Sequence, residues 1–106
     1  MKPSSADGAW SSREFGFDPD HPTAAGHFPG NPIIPGALML DHVLRAIGAQ
    51  APATVQVAKF LRPVRPGDRV MIRWQEQDGG VVKFECWIRE RDEMVLSGTV
   101  RTPAGR

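Results

Sequence analysis

His27 and Asp41 are the two residues of this 106-residue chain whose types and spacing best suit proton-transfer chemistry. His27 lies within a segment rich in proline and glycine, Gly26–Gly36, and Asp41 follows it in a stretch with helical spacing. A neutral imidazole accepts a proton near neutral pH without a large shift of its pKa. A carboxyl group among apolar side chains becomes a proton donor when burial raises its pKa from about 3.9. The pair predicts an enzyme site with one base and one acid.

The Gly26–Gly36 segment contains three prolines and three glycines in eleven residues. Prolines fix the backbone and restrict the residue before them, whereas glycines allow conformations that are closed to other residues. We therefore expect the segment to hold one shape. It ends where helical spacing begins, so unpaired backbone N–H groups and the positive end of the helix dipole meet at Gly36. Gly36 is the candidate site for an oxyanion, and the alternative is a simple hinge between loop and helix.

These residues resemble the loop and central helix of FabA/FabZ-type 3-hydroxyacyl-acyl-carrier-protein dehydratases. That family has a Gly-His-Phe-Pro-Gly-x-Pro-x-x-Pro-Gly loop before a helix with an acidic residue, so His27 matches the family histidine and Asp41 the acidic position. A second segment, Lys59–Asp68, resembles the lysine-phenylalanine and Pro-Gly-Asp segment of the same superfamily. Short chains of this kind also resemble the stand-alone thioester dehydratases of aryl polyene clusters.

The resemblance implies a hotdog fold and dehydration of 3-hydroxyacyl thioesters to trans-2-enoyl thioesters. His27 would take the C2 proton, the Gly36 N–H would stabilise the thioester oxygen, and Asp41 would protonate the departing hydroxyl. Phe28 and Pro35, together with Gly36, are the residues expected to bind the substrate and its oxyanion. The resemblance implies no cofactor, an acyl carrier protein as partner, and a homodimer in which His27 and Asp41 of one site come from different subunits.

Each site residue also has a reading without catalysis. The His27 ring could simply hydrogen-bond the backbone, and Asp41 could pair with Arg45, four residues later on a helix, which would lower the pKa of the carboxyl. FabZ-type proteins usually carry glutamine at the position of Arg45. We expect Arg45 to point away from Asp41 or to engage another carboxylate.

Basic residues after the helix form the second candidate site. Arg62 and Arg65 are candidate contacts for an acyl carrier protein, and the alternative is a solvated charged face. No metal site is predicted, because His21, His27, Asp41 and His42 lack a recognisable ligand spacing. His42 is expected to pack or to lie in an interface.

The composition predicts a single domain over residues 1–106, with residues 1–12 mobile. A net charge of +1 gives no reason to expect nucleic-acid binding, and no apolar run is long enough to span a membrane. Met1–Gly8 has no apolar segment typical of a secretory signal, so a cytoplasmic location is expected. The single cysteine, Cys86, is expected to be buried and inert.

Hydrophobic spacing predicts an α+β domain with one strand, one helix and four further strands. The first strand is expected over Arg13–Phe17, a loop over Asp18–Pro35 and a helix over Gly36–Gln50. The apolar helix stripe is expected at Leu40, Val43, Leu44 and Ile47. The later strands are predicted over Thr54–Leu61, Arg69–Gln75, Val81–Arg89 and Glu93–Arg101, the last three as an antiparallel meander.

Two classes of function compete with a dehydratase. A hotdog thioesterase would use the acidic helix residue to activate water, and the His27 loop favours dehydration over it. A non-catalytic module that binds acyl carrier protein, or a structural dimerisation domain, would not need both His27 and Asp41.

Overall fold

The computed structural model describes residues 10–19, 33–48 and 53–102, and these form one α-helix, five strands and two short 3₁₀ turns, Asp78–Gly80 and Arg89–Arg91. In chain order the elements are β1 (Ser11–Gly16), α1 (Gly36–Ile47), β2 (Thr54–Phe60), β3 (Arg69–Glu76), β4 (Val81–Ile88) and β5 (Glu93–Arg101). The strands form one sheet in the order β1-β3-β4-β5-β2, and every neighbouring pair is antiparallel. The α+β hotdog prediction is confirmed, including the β3-β4-β5 meander.

The inner face of the sheet follows from the alternation of apolar residues along β3 and β4. Val70 pairs with Ile88, and Ile72 pairs with Cys86, and all four side chains are buried. Successive side chains of a strand point to opposite faces, so this alternation assigns one face of each strand to the core. Each of the four later strands lies within one residue of its predicted bounds.

Helix α1 buries a different stripe from the one predicted. The buried residues are Met39, Val43 and Ala46, at i, i+4 and i+7, whereas Leu40 and Leu44 are only partly buried. A helix that is apolar nearly all round does not reveal from its sequence which side will meet the sheet, because several rotations bury similar area. The expected stripe was therefore rotated relative to the one observed.

The helix ends at Ile47 rather than Gln50. Gly48 adopts a left-handed conformation with φ of 78°, and its N–H donates to the carbonyl oxygens of Leu44 and Arg45. This is the usual helix end at glycine, which reaches positive φ without a steric penalty.

The beginning of the described chain is more ordered than predicted. Ser11 and Ser12, expected to be mobile, belong to β1 and pair with Trp74 and Arg73. The Trp10 ring lies under the Arg73 guanidinium, 4.3 Å from ring centroid to Cζ. Strand pairing and this cation–π contact outweigh the low strand propensity of a serine-rich segment.

Two features of the fold position the candidate site. Strand β2 is an edge of the sheet, and the apolar side chains of Val57, Phe60 and Leu61 at and just beyond it are exposed.

Within the described ranges, no helix has both the length and the apolar character needed to cross a membrane.

Candidate active site

The start of α1 is held in place by backbone hydrogen bonds, both within the helix and to the segment that follows β2. The Ile34 N–H donates to the Val64 carbonyl at 2.7 Å, and the Pro35 carbonyl accepts from the N–H groups of Leu38 and Met39. Pro35 is extended, with φ of −60° and ψ of 146°, so the helix begins abruptly at Gly36. The N–H of Gly36 precedes the helical hydrogen-bond ladder, and the positive end of the helix dipole lies beside it. This position suits an anion or a developing oxyanion.

Phe60 lies directly over Gly36. A Cβ atom at Gly36 would be 2.8 Å from Phe60 Cζ, which is closer than real Cβ contacts allow. The close approach of the aromatic ring therefore favours glycine at this position, since a larger residue would displace the Phe60 ring. The Phe60 side chain is 53% exposed despite this contact, so one side of the ring remains open.

An apolar cleft of about 490 Å³ opens beside this contact. Its walls come from the start of α1, from the end of β2 with the residues that follow it, and from β5. The residues that line it include Ile34, Gly36, Met39, Phe60, Leu61 and Val95. A cleft of this size and character can hold a small apolar chain with a polar group at the helix start.

Phe60 and Leu61 belong to the second sequence motif but no role was predicted for them, and Met39 and Val95 were not predicted as site residues. Two consecutive apolar residues at the end of a predicted strand are the local signal that was available, and their exposure, which marks a binding surface, is seen only in the structure. No local pattern could have assigned Met39 or Val95, because α1 and β5 meet only in the folded chain.

Asp41 lies on α1, and its side chain is 47% exposed. Its Oδ2 is 3.0 Å from Arg45 Nη2, so the prediction that Arg45 avoids Asp41 is wrong. Residues four apart on a helix face one another, and in the described chain this local pairing prevails. Both partners are exposed, which makes the pair a weak one. The expected burial of Asp41 is therefore absent from the single chain.

His42, the next residue, turns toward β1. Its ring stacks on Phe15 with centroids 4.5 Å apart and planes 7° apart, and it meets Phe17 edge-on at 5.0 Å. The prediction that His42 packs is confirmed. Because neighbouring helix residues point about 100° apart, a ring fixed toward β1 leaves Asp41 directed to a different side.

His27 and Phe28 lie outside the described residues, as does His21. The site residues that the structure does describe, Gly36, Pro35 and Asp41, belong to one helix start and its first two turns. Gly36 opens onto the cleft, whereas Asp41 is not among the residues that line it.

Of the two candidate contacts for a carrier protein, Arg62 lines the cleft and Arg65 does not. Arg62 is exposed, lines the cleft and has its Nε 3.6 Å from Glu93 Oε2. Arg65 is exposed as well, and its backbone N–H donates to Asp68 Oδ2 at 2.9 Å. Because acidic residues accompany these arginines, the surface carries mixed charge rather than a purely basic patch. The carrier-protein role of Arg62 and Arg65 stays a prediction.

Cys86 is fully buried in β4, as predicted. Burial raises the pKa of its thiol to about 12. The thiolate is the reactive form of cysteine, so this side chain is a packing residue at neutral pH.

Comparison with family models and with known sequences points to one group of dehydratases. The family model of the ApeI dehydratase, called ApeI-like, matches residues 5–99. A 3-hydroxyacyl-[acyl-carrier-protein] dehydratase FabZ of Agrobacterium fabrum is 33% identical, over 82% of this chain and 68% of that protein. The FabZ of Rhizobium rhizogenes is 36% identical, over 63% of this chain and 52% of that protein.

A solved structure shares the fold. The dehydratase heterocomplex ApeI:P from Xenorhabdus doucetiae superposes with a TM-score of 0.72 at 19% identity, over 95% of this chain and 90% of that one. The chain thus spans between about half and two thirds of the length of these two FabZ relatives, and nearly all of the ApeI:P chain.

Proposed function

This chain belongs to the ApeI-like dehydratase family, and on that premise we propose that it removes water from 3-hydroxyacyl thioesters bound to acyl carrier protein. The product would be a trans-2-enoyl thioester in fatty acid or polyene biosynthesis. The observation that carries the proposal is the apolar cleft at the N-terminus of α1, where an acyl chain and a thioester oxygen can be held together. The partner named in the FabZ relatives, acyl carrier protein, is the partner proposed here.

The proposed reaction uses three groups of the protein. His27 takes the proton from C2 of the substrate, and negative charge develops on the thioester oxygen. The Gly36 N–H donates to that oxygen at the positive end of α1. Asp41 gives its proton to the hydroxyl at C3 as the C3–O bond breaks, so a C2–C3 double bond forms and water leaves.

We propose that this reaction needs no cofactor. Elimination of water involves no net oxidation or reduction of the substrate, and the base and the acid exchange one proton each with it. A thioesterase would instead need an activated water and would release a free acid. The match to a family of dehydratases favours elimination.

We further propose a homodimer formed along β2. An edge strand presents unpaired N–H and C=O groups, and Val57, Phe60 and Leu61 add exposed apolar surface at the same edge. Pairing of two β2 strands would cover this surface and would bring the cleft of one subunit near α1 of the other. A heteromeric pairing is the competing outcome, since the similar ApeI:P structure is a heterocomplex. The proposed cellular location is the cytoplasm, in keeping with a single buried thiol.

The test is turnover of a short 3-hydroxyacyl-carrier-protein substrate, followed by mass spectrometry. Loss of one water from the acyl group is expected for the wild type. His27→Ala and Asp41→Asn should each lower the rate at least about 100-fold. Asp78→Asn, which changes a carboxylate in an exposed turn far along the chain from both residues, is the matched control and should keep the rate.

Two results would contradict the proposal. Release of free acid would identify a thioesterase, and binding without turnover across several acyl chains would identify a non-catalytic module. Full activity of the Asp41→Asn variant would remove Asp41 from the mechanism while leaving the reaction in place.

A further inference from the structure

The two described chain segments on either side of residues 20–32 are bonded to the same turn. The Phe17 N–H donates to the Asp68 carbonyl at 3.2 Å, and the Gly67 N–H donates to the Phe17 carbonyl at 2.7 Å. On the other side, the Ile34 N–H donates to the Val64 carbonyl at 2.7 Å. We call Val64–Asp68 the clasp turn. It fixes the separation of the two points between which the His27 segment runs.

Asp68 holds the clasp turn in shape. Its Oδ2 accepts from the Arg65 N–H at 2.9 Å, and its own N–H donates to the Arg65 carbonyl at 3.0 Å. Gly67 between them has φ of 93°, a conformation that glycine adopts without strain. A carboxylate that accepts from a backbone N–H three residues earlier closes a tight turn that few other side chains can close.

Asp68 also joins the clasp turn to the neighbouring turn between β4 and β5, at the same end of the sheet. Arg91, in the turn between β4 and β5, places Nη1 and Nη2 at 3.4 Å from the two carboxylate oxygens. The Asp68 side chain is only 15% exposed, in contrast to the half-exposed Asp41. Two-point contact and low exposure make this the better-fixed of the two carboxylates.

A third contact, between Phe17 and His42, joins the clasp turn to α1. Phe17, whose backbone is bonded on both sides to the clasp turn, is buried and touches the His42 ring. His42 follows Asp41 on α1. The clasp turn, β1 and the acid-bearing helix are therefore in continuous contact through Phe17.

We propose that Asp68 is a positioning residue for the dehydration reaction, because it shapes the turn that holds both flanks of the His27 segment. This inference rests on the proposed function. It gives a physical reason for the occurrence of the two motifs together, since the second motif bonds the chain at Phe17, before the first motif, and at Ile34, within it. A displacement of about 1 Å in a reacting group can lower a rate about 100-fold. Asp68 itself touches no reacting atom.

The experiment compares Asp68→Ala, Asp68→Asn and the control Glu14→Gln in the full chain. Glu14 forms the Arg69 ion pair at 2.7 Å, so the control also removes a carboxylate–guanidinium contact but leaves the clasp turn bonds alone. Amide hydrogen exchange by NMR reports on the three donors Phe17, Ile34 and Gly67, with amides of β4 as the internal reference. Steady-state turnover gives kcat and KM for each variant.

For Asp68→Ala we expect exchange at the three donors to rise at least about tenfold relative to β4, because the local opening becomes easier. We expect kcat to fall at least about tenfold with KM nearly unchanged, because orientation rather than binding is lost. Asparagine can still accept the Arg65 N–H, so Asp68→Asn should recover most of the protection and most of kcat. Glu14→Gln should match the wild type in both measurements.

Three results would overturn the inference. Protected amides in Asp68→Ala would show that Asp68 does not hold the two flanks, and lost protection with wild-type kcat would show that their position does not matter for the rate. The inference would also be contradicted if Asp68→Ala and Asp68→Asn lost kcat equally while only Asp68→Asn recovered protection of the three amides from exchange. If the wild type itself does not dehydrate, the proposed function fails, and the exchange data still decide whether Asp68 holds the flanks.

Discussion

The middle of the sheet and the rim formed by β2 and the start of α1 differ in how completely one chain packs them. Phe84, Cys86 and Leu96 in the middle are fully buried. On the rim, Phe60 and Leu61 are each more than half exposed, and Asp41 has an exposed arginine as its partner. The middle is complete within a single chain, whereas the rim keeps apolar surface and a titratable group available. Substitutions in the middle should therefore act on stability, and substitutions on the rim should act on association and rate.

The largest effect is expected in the middle, at Gly98 on β5. A Cβ there would overlap the Val57 carbonyl oxygen and come within 2.9 Å of Phe84 Cζ. Gly98→Ala should lower the free energy of unfolding by about 3 kcal/mol, because the Val57 backbone cannot move without disturbing the β2–β5 pairing and Phe84 is fully buried. Urea denaturation followed by circular dichroism measures this. Ser97→Ala is the control, and equal stability of the two variants would contradict the packing argument.

The rim should respond through association. Val57→Asp places a charge on the exposed apolar edge of β2, so the dissociation constant of the proposed dimer should rise at least about 30-fold, equivalent to about 2 kcal/mol. Sedimentation velocity over a concentration series measures this, and Gln56→Asp on the same strand shows the effect of charge at a polar position. A wild type that stays monomeric at all concentrations would remove the homodimer from the proposal.

Alkaline pH should lower the free energy of unfolding through Cys86, which lies in the middle of the sheet. Burial raises the pKa of its thiol from 9.0 to about 12. Between these values the unfolded chain loses the proton and the folded chain keeps it, so stability falls as pH rises, by at most about 1.4 kcal/mol per pH unit. The stability of the wild type between pH 9 and 11 should therefore decline more steeply than that of Cys86→Ala. Parallel curves would show that the thiol is not protected by the fold.

The smallest effect is expected for Arg45→Gln on the rim. The Arg45–Asp41 pair is exposed at both ends and joins neighbouring turns of one helix, so its loss should change the free energy of unfolding by at most about 0.5 kcal/mol. The rate of dehydration should change less than about threefold by the same argument. Thermal denaturation and turnover measure the two quantities. A tenfold loss of activity would give Arg45 a part in the reaction that its exposed position does not suggest.

Local signals made much of the fold predictable. The alternation in β3 and β4 identified the buried residues, and the proline-to-glycine transition identified Gly36 as the first residue of the helix. Proline and glycine act through their own backbone, and alternation acts through neighbouring residues, so neither signal needs the rest of the chain. Ser11 and Ser12 were missed because their order depends on β3, which lies about 60 residues later.

The candidate site was predictable only in part. The roles that the motif assigns to Gly36, Pro35 and Asp41 stay predictions, and an exposed Asp41–Arg45 pair stands in place of the buried carboxyl that was expected. The i, i+4 spacing of Asp41 and Arg45 is visible in the sequence. Whether the two residues pair at the surface or Asp41 is buried depends on the solvent exposure of that helix face, which only the structure gives. The cleft residues Met39 and Val95 became apparent only when α1 and β5 were seen together.

The sequence by itself determined the types and order of the elements, the abrupt helix start at Gly36 and the family motifs, because these depend on residues close together in the chain. Only the tertiary structure decided which side of α1 faces the sheet, that Phe60 covers Gly36, and that Phe17 and Ile34 are bonded to the same clasp turn. Those contacts join residues far apart in sequence. Their geometry is set by the packing of the whole core, which no single segment encodes.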